Sequence, residues 1–224
     1  MFVIRSYNRP EQCNRLMQQL IKTGMTEPGI LVINGYDGDE DILNGYMDIE
    51  LPSNWESQLC GNNIGCNAPL NNVFKQFPNE PYYAAIDDDE WVETEGWDKK
   101  LVAAAGKWDI ANANSDMHRI QGFVTIGGDL VRCVGWHVLP GLFHWYGEQV
   151  WEELHKFCNL RVWCKSIKAE HRHWSNGKAL LDDTYRSQDP NIAKDREIFE
   201  KWMAQECHHL AAKINKEREN ARIG

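Results

Sequence analysis

Tyr82-Tyr83-Ala84-Ala85-Ile86-Asp87-Asp88-Asp89-Glu90 joins an apolar run of strand character directly to four acidic side chains. A short run that is apolar throughout suits a strand buried on both faces of a sheet. Three adjacent carboxylates repel one another, so they are costly in a fold unless a cation compensates them. Hard oxygen ligands suit Mg²⁺ or Mn²⁺, and Mg²⁺ typically takes one or two carboxylates plus substrate phosphates. An acidic surface turn is the plain alternative. The place of the acidic run after a buried strand favours metal and nucleotide binding.

Upstream, strand-like and helix-like segments alternate. Phe2–Tyr7 reads as a strand, and Asn8-Arg9-Pro10 as a turn whose proline opens a helix running to about residue 23. Gly29–Ile33 is a second strand that ends in the polar loop Asn34-Gly35-Tyr36-Asp37-Gly38-Asp39, and Tyr46–Leu51 a third. Asn67–Phe77 repeats apolar residues at helical spacing. This alternation predicts an α/β fold with a mostly parallel sheet flanked by helices. Such sheets bind ligands beyond the carboxyl ends of their strands. Those ends are Ser6–Arg9, Asn34–Asp39 and Asp87–Glu90, all polar. Downstream, helices are expected at Trp97–Ala105 and Gly147–Leu160, and extended segments at Asp109–Ala113, Gly122–Ile126 and Val162–Ala169. A last helix from about Ile192 to Arg218 carries one apolar stripe (Phe199, Met203, Cys207, Leu210, Ile214), with KINKEREN as a solvated tail.

The 224 residues carry 24 Lys+Arg against 33 Asp+Glu, a net charge of −9. Residues 1–100 hold 7 basic and 17 acidic side chains, and residues 101–224 hold 17 and 16, so the acidic excess lies in the first part. A polyanionic ligand bound there needs a cation between it and the protein. A basic nucleic-acid footprint is absent overall. The seven cysteines form no C-x-x-C pair, so reduced thiols and a cytoplasmic location are expected. No apolar run approaches a membrane span, and MFVIRSYNRPEQ lacks the features of a secretory signal.

The ordered segments VIRSYNRPEQCNRLMQQL, LVINGYDGDE, NIGCNAPLNNVFKQFPNEPYYAAIDDD, GGDLVRCVGW, YGEQVWEEL and KAEHRHW together resemble the GT-A glycosyltransferases. The likeness is strongest to the large inverting group that uses nucleotide-diphosphate sugars, and covers roughly residues 1–175. It implies a single Rossmann-like GT-A domain: a nucleotide- and metal-binding part over 1–100, an acceptor part over 101–190, and a C-terminal helix and tail over 191–224. By this resemblance Asp87 contacts the ribose or the metal, Asp88 lies on the nucleotide side, and Asp89 binds Mn²⁺ or Mg²⁺ in the family's Asp-x-Asp position. Ser6, Tyr7 and Arg9 line the nucleotide pocket, and Asn34 or Asp37 reaches the base. Where the family often has Arg before the Asn of the middle helix, this chain has Leu70 before Asn71.

Glu148 matches the position of the family's general base, where Asp is commoner; Glu152 and Glu153 compete for the role but suit a solvated helix face. His171 and His173 alternate in an extended segment, so one of them is expected to join the metal, and His173 resembles the family ending more closely. Gly128 and Asp129 are expected near the donor sugar. Trp136, His144 and Trp145 are expected on the acceptor side, with His137 and Trp151 nearby, because aromatic faces suit sugars and bases. Asp182 and Asp183 are candidates for a ligand contact or a helix cap. The implied activity is sugar transfer from a nucleotide diphosphate, UDP favoured, to a hydroxyl of a glycan, a small molecule or a modified nucleic acid, with no membrane partner. Compact stand-alone glycosyltransferases encoded by bacteriophages offer an analogy. A nucleotidyltransferase is the closest rival, but SYNRPEQ is not its Gly-rich phosphate loop; a non-catalytic carbohydrate-binding domain leaves the acidic run unexplained.

Overall fold

A computed structural model of the chain describes residues 1–114, 120, 122–186 and 189–223. The first part runs β1 (Phe2–Ser6), α1 (Pro10–Lys22), β2 (Gly29–Asn34), α2 (Glu40–Met47), β3 (Trp55–Cys60), α3 (Ala68–Gln76) and β4 (Tyr82–Asp87). It continues through β5 (Glu90–Val92), α4 (Trp97–Ala105), β6 (Ile110–Asn114), β7 (Val124–Gly127) and α5 (Gly128–Val134). After α6 (Gly147–Cys158) and β8 (Arg161–His171), the chain closes with α7 (Asp183–Arg186), α8 (Ile192–Gln205) and α9 (Cys207–Ile223). Among the described residues, eight strands form a sheet in the order β3-β2-β1-β4-β7-β6-β8-β5. β3, β2, β1 and β4 are parallel, β7 is antiparallel to β4 and β6, and β8 returns parallel to β6.

Strand alternation sends residues to two covered faces. Val3, Ile30, Val32 and Tyr83 pack with Leu70 of α3, Leu130 of α5, Leu154 of α6 and Ile214 of α9. Phe2, Ile4, Leu31 and Ile33 pack with Leu16 and Leu20 of α1, Tyr46 of α2 and Trp97 of α4. The expected α/β sheet flanked by helices is the observed one. Because the two faces are closed by different helices, the polar strand ends stay open at one rim.

Three expectations are corrected. The third strand is not Tyr46–Leu51: Tyr46 and Met47 end α2, whose N-cap Asp39 accepts from Asp41 N and Ile42 N. The strand is Trp55–Cys60, at the sheet edge, anchored by Trp55 Nε1 donating to Glu27 O at 3.1 Å. The last helix is two, broken at Glu206. KINKEREN is not a solvated tail either, since it stays helical, Ile214 is fully buried, and Arg218 donates to Cys158 O at 3.1 Å and pairs with Asp109. An Arg side chain that caps the last carbonyls of α6 in this way docks α9 against the domain.

Candidate active site

A cavity of about 420 Å³ opens at the carboxyl ends of β1, β2 and β4. Ser6, Tyr7, Arg9, Asn34, Asp87, Asp88, Asp89, His144, Trp145, Glu148 and His173 from the sequence-derived set all line it. Parallel strands end there because each crossover returns the chain to the same starting edge, so residues distant in sequence meet at one rim. Asn8 supports the first turn with φ +53, a left-handed conformation that Asn tolerates better than most residues.

The floor is a charge network. Ser6 Oγ donates to Asp88 Oδ2 at 2.6 Å and lies 2.7 Å from Tyr46 Oη. Arg9, itself largely buried, bridges Asp88 at 3.5 Å and Asp182 at 2.7 Å. Burial, reinforced by the charges of Asp89 and Asp87, pushes the Asp88 carboxyl up to about 7 against the opposing pull of Arg9 and Ser6. Asp88 is thus committed inward. Asp87 pairs with Arg5 at 2.6 Å; the two are register partners on β1 and β4. Asn34 is 3% exposed and staples the following loop, donating to Gly65 O at 2.9 Å and accepting from Ile64 N at 3.2 Å. Asp37 is not among the cavity-lining residues; it accepts from Tyr7 Oη and, at 3.0 Å, from Asn8 Nδ2.

Beside this floor, His171 Nε2 lies 3.2 Å from Asp89 Oδ1. Burial disfavours the imidazolium, but the Asp89 hydrogen bond and the charges of Asp89, Glu90 and Asp87 outweigh it and raise His171 to about 9. The two histidines do not point to opposite sides as simple alternation predicts. β8 ends at His171, Arg172 N donates to Asp89 O at 2.7 Å, and the chain turns, so both rings line the cavity with centroids 5.1 Å apart. His173 Nδ1 accepts from Ser175 N at 3.2 Å as an N-cap and lies 2.8 Å from Ser175 Oγ. A metal ligand needs a lone pair; His171 Nε2 carries a proton toward Asp89 and offers one only once a cation displaces that proton, and its nearness to Asp89 would let the two side chains share one ion.

Among the described residues, no three His, Cys, Asp or Glu side chains gather closely enough to enclose an ion. The Asp89–His171 pair is a two-point hold of mixed oxygen and nitrogen donors. It fits a divalent cation that takes its other ligands from phosphate and water.

The opposite wall is residues 144–152. Glu148 lies in the first turn of α6, where the helix dipole favours its charge. Burial first, then the charge of Asp87, raises its carboxyl above the ordinary glutamate value, with Arg5 opposing. Glu152 faces the same cavity but accepts from Ile120 N at 2.8 Å and pairs with Arg161 at 3.5 Å. Glu153 pairs with Lys156 instead and lies outside the lining. Burial lowers His144 to about 4, so it is neutral at pH 7.

Sequence reading missed Arg5, Asn63, Cys66, Tyr146 and Gln149 in the lining. Arg5 sits inside a buried strand where no periodicity distinguishes it. Cys66 follows Gly65, whose φ of +81 and 2.3 Å clearance from a notional Cβ to Phe143 O let the two loops touch.

Besides Asp37, three expected site residues lie outside the lining. Gly128 and Asp129 begin α5 at the opposite end of β4, where Tyr82 pairs with Gly127. Gly128 N donates to Pro81 O at 2.8 Å, and a Cβ on Gly128 would meet Glu80 O at 2.1 Å, so this glycine serves close packing. Asp129 pairs with Arg132 at 2.5 Å. Trp136 packs against Trp151 and Trp202 in the core. Asn71 is a brace: its Oδ1 accepts from His137 N and Val138 N at 2.9 and 3.0 Å.

No protein-family model matches the sequence, and no curated protein matches it. Solved structures do share its fold. TarS from S. aureus superposes with a TM-score of 0.54 at 13% identity over 87% of this chain and 42% of that one. GalNAc-T7, solved with UDP, GalNAc and Mn²⁺, gives 0.55 at 13% identity over 76% and 43%. The mannosyltransferase PcManGT from Pyrobaculum calidifontis, solved with GDP-Man and Mn²⁺, gives 0.58 at 8% identity over 100% and 74%. The chain spans 42% to 62% of the TarS chains it resembles. At these identities the likeness is one of fold, and the fold is the GT-A type of these glycosyltransferases.

Proposed function

We propose that the chain is a glycosyltransferase that moves a sugar from a nucleoside diphosphate to an acceptor hydroxyl with inversion. One observation carries the reading: the acidic strand end, Arg9, His171 and a single raised glutamate on the opposite wall all border one cavity. Its fold likeness to enzymes solved with UDP-GlcNAc, with UDP and Mn²⁺, and with GDP-Man and Mn²⁺ supports a nucleotide-sugar donor.

In this reading Asp89 and His171 would hold a Mn²⁺ or Mg²⁺, which as a Lewis acid would supply counter-charge to the diphosphate. Ser6 and Arg9 fix Asp88 in the cavity floor. Tyr7 and Asn34 border the nucleoside end, and Arg5 holds Asp87 in place at the cavity floor. Glu148 takes the proton from the acceptor hydroxyl as its oxygen bonds to the anomeric carbon. The carbon–oxygen bond to the diphosphate breaks on the far side, and its electron pair leaves with the phosphate. A carboxylate raised above the usual range is a stronger base for that proton. Trp145 offers an aromatic face on the acceptor side, beside neutral His144.

Thermal-shift and calorimetric titrations with UDP, GDP and CDP, each with and without Mn²⁺, test the reading. The expected result is a metal-dependent shift for one nucleotide, abolished by EDTA. No nucleotide effect under any condition would sink the donor assignment.

A further inference from the structure

Asp195 lies in the first turn of α8 and is 0% exposed. A buried carboxylate is costly, and folds retain one where donors converge on it. Here the donors come from one stretch of backbone. Oδ1 accepts from Phe143 N at 2.9 Å, and Oδ2 accepts from His144 N and Trp145 N, each at 2.8 Å. Successive N–H groups curled around an anion form a nest, and the anion in turn holds that backbone in one conformation.

The stretch it holds leads directly into the cavity wall. The next residue, Tyr146, has φ +69 and caps α6, whose first turn carries Glu148. Two further contacts from α8 reach the same residue: Arg196 Nε donates to Tyr146 Oη at 3.0 Å, and the Phe199 ring stacks on Tyr146 at 5.0 Å. On its other side the stretch meets the loop at 65–67, through Asn67 N donating to Phe143 O at 3.3 Å and Cys66 Sγ donating to His144 O at 3.4 Å. The wall from His144 to Glu148 is therefore clamped between a loop and a helix that follows the rest of the site in the chain.

We propose that Asp195 is a positioning residue for sugar transfer: by gathering the backbone N–H groups of residues 143–145, it sets where Glu148 stands relative to the acceptor hydroxyl. The inference rests on Glu148 being the base. Proton transfer in a preorganised site is steep in distance, and a displacement of about 1 Å costs on the order of 10²-fold in rate.

The experiment compares wild type, Asp195→Asn, Asp195→Ala and Glu148→Gln. Turnover is read as hydrolysis of UDP-glucose, UDP-GlcNAc and GDP-mannose, with water as acceptor. Affinity for UDP and GDP with Mn²⁺ is read by calorimetry, and backbone exchange of the 143–149 segment by hydrogen–deuterium exchange. Asn keeps the shape and one acceptor oxygen, so its turnover is expected to fall about tenfold; Ala removes both oxygens and is expected to lose about a hundredfold. Nucleotide affinity should stay within about twofold in both, and exchange should quicken at 143–149 but not in β1 or β4. Should the Ala variant fail to fold, the isosteric Asn variant carries the test. Wild-type turnover in Asp195→Asn and Asp195→Ala, with Glu148→Gln inactive, overturns the positioning role alone. Wild-type turnover in Glu148→Gln overturns the base assignment, and the positioning role with it. Loss of nucleotide binding or of β-sheet signal in Asp195→Asn would make Asp195 a folding residue and overturn the proposal.

Discussion

The two walls of the cavity are built on different principles. The acidic floor comes from strand ends, where Ser6, Arg9, Asn34 and Asp87–Asp89 are each fixed by the sheet and by one another. The facing wall, residues 144–152, has no strand beneath it and takes its shape from helix ends and from Asp195. A floor of paired charges tolerates little change in electrostatics but is mechanically secure. A wall hung on backbone hydrogen bonds is sensitive to geometry instead. Binding should therefore fail through the floor and turnover through the wall.

Glu148→Gln should give the largest effect and the cleanest break between the two. It keeps size and hydrogen bonding but cannot accept a proton, so turnover is expected to fall by about 10²–10⁴-fold. Metal-dependent nucleotide affinity should hold. The pH dependence follows from the raised carboxyl. The base works only when ionised, so the rate should fall as pH drops through a limb above the ordinary glutamate value. The same shift has a cost in stability. The folded chain binds this proton more tightly than the unfolded chain, so stability present at low pH is lost as pH rises through the raised pKa. Glu148→Gln is thus expected to raise Tm at pH 7 while abolishing turnover, as substitution of a strained functional charge often does. Equal turnover in both proteins would move the base elsewhere.

The floor should respond in the opposite sense. Asp89→Asn and His171→Ala are expected to weaken Mn²⁺-dependent nucleotide binding by about 10–100-fold and to bring back the sharp six-line EPR signal of free Mn²⁺. His173→Ala should leave the bound Mn²⁺ signal in place, because in this reading Asp89 and His171 already supply the two protein ligands. The reverse ranking of the two histidines would return the ligand assignment to His173.

How legible each wall was in the sequence follows from the same contrast. β1, β2 and β4 are apolar runs ending in polar residues, and such runs advertise both a buried strand and the ligand rim beyond it. β3 was missed because an edge strand exposes Glu56 and Ser57, so its hydrophobic pattern is thin, while Tyr46 and Ile49 look strand-like only because they pack on the α1 side of the sheet. The late helix stripe was visible, but the break at Glu206 involves neither Gly nor Pro and leaves no local mark. Glu148 was reached through ordered resemblance. Asp195 was not, because one aspartate in an amphipathic helix reads as surface until the backbone it gathers is seen. Arg5 was hidden for the converse reason, a charge inside a strand whose partner Asp87 is distant in sequence and adjacent only across the sheet.

Asp129 gives the smallest expected effect and the sharpest check on which end of the sheet is functional. It starts α5 beside the amino end of β4, while the acidic floor begins at the carboxyl end of the same strand. Five steps from Tyr82 to Asp87 at about 3.3 Å each separate the two ends by about 17 Å. That span is too long for an aspartate side chain to touch a sugar held at the floor. Its carboxylate instead pairs with Arg132 at 2.5 Å, and Arg132 also donates to Glu80 O at 2.8 Å. Both partners of the pair are partly exposed, so water and salt screen it, and its loss should cost no more than about 0.5 kcal/mol. Asp129→Asn is therefore expected to leave nucleotide affinity and turnover within experimental error and to lower Tm by a degree or two at most. Thermal melts beside the same calorimetric titration measure both. If Asp129→Asn instead weakens turnover as strongly as Asp89→Asn, the donor sugar lies at the amino end of the sheet, and the strand-end cavity loses its claim to the chemistry.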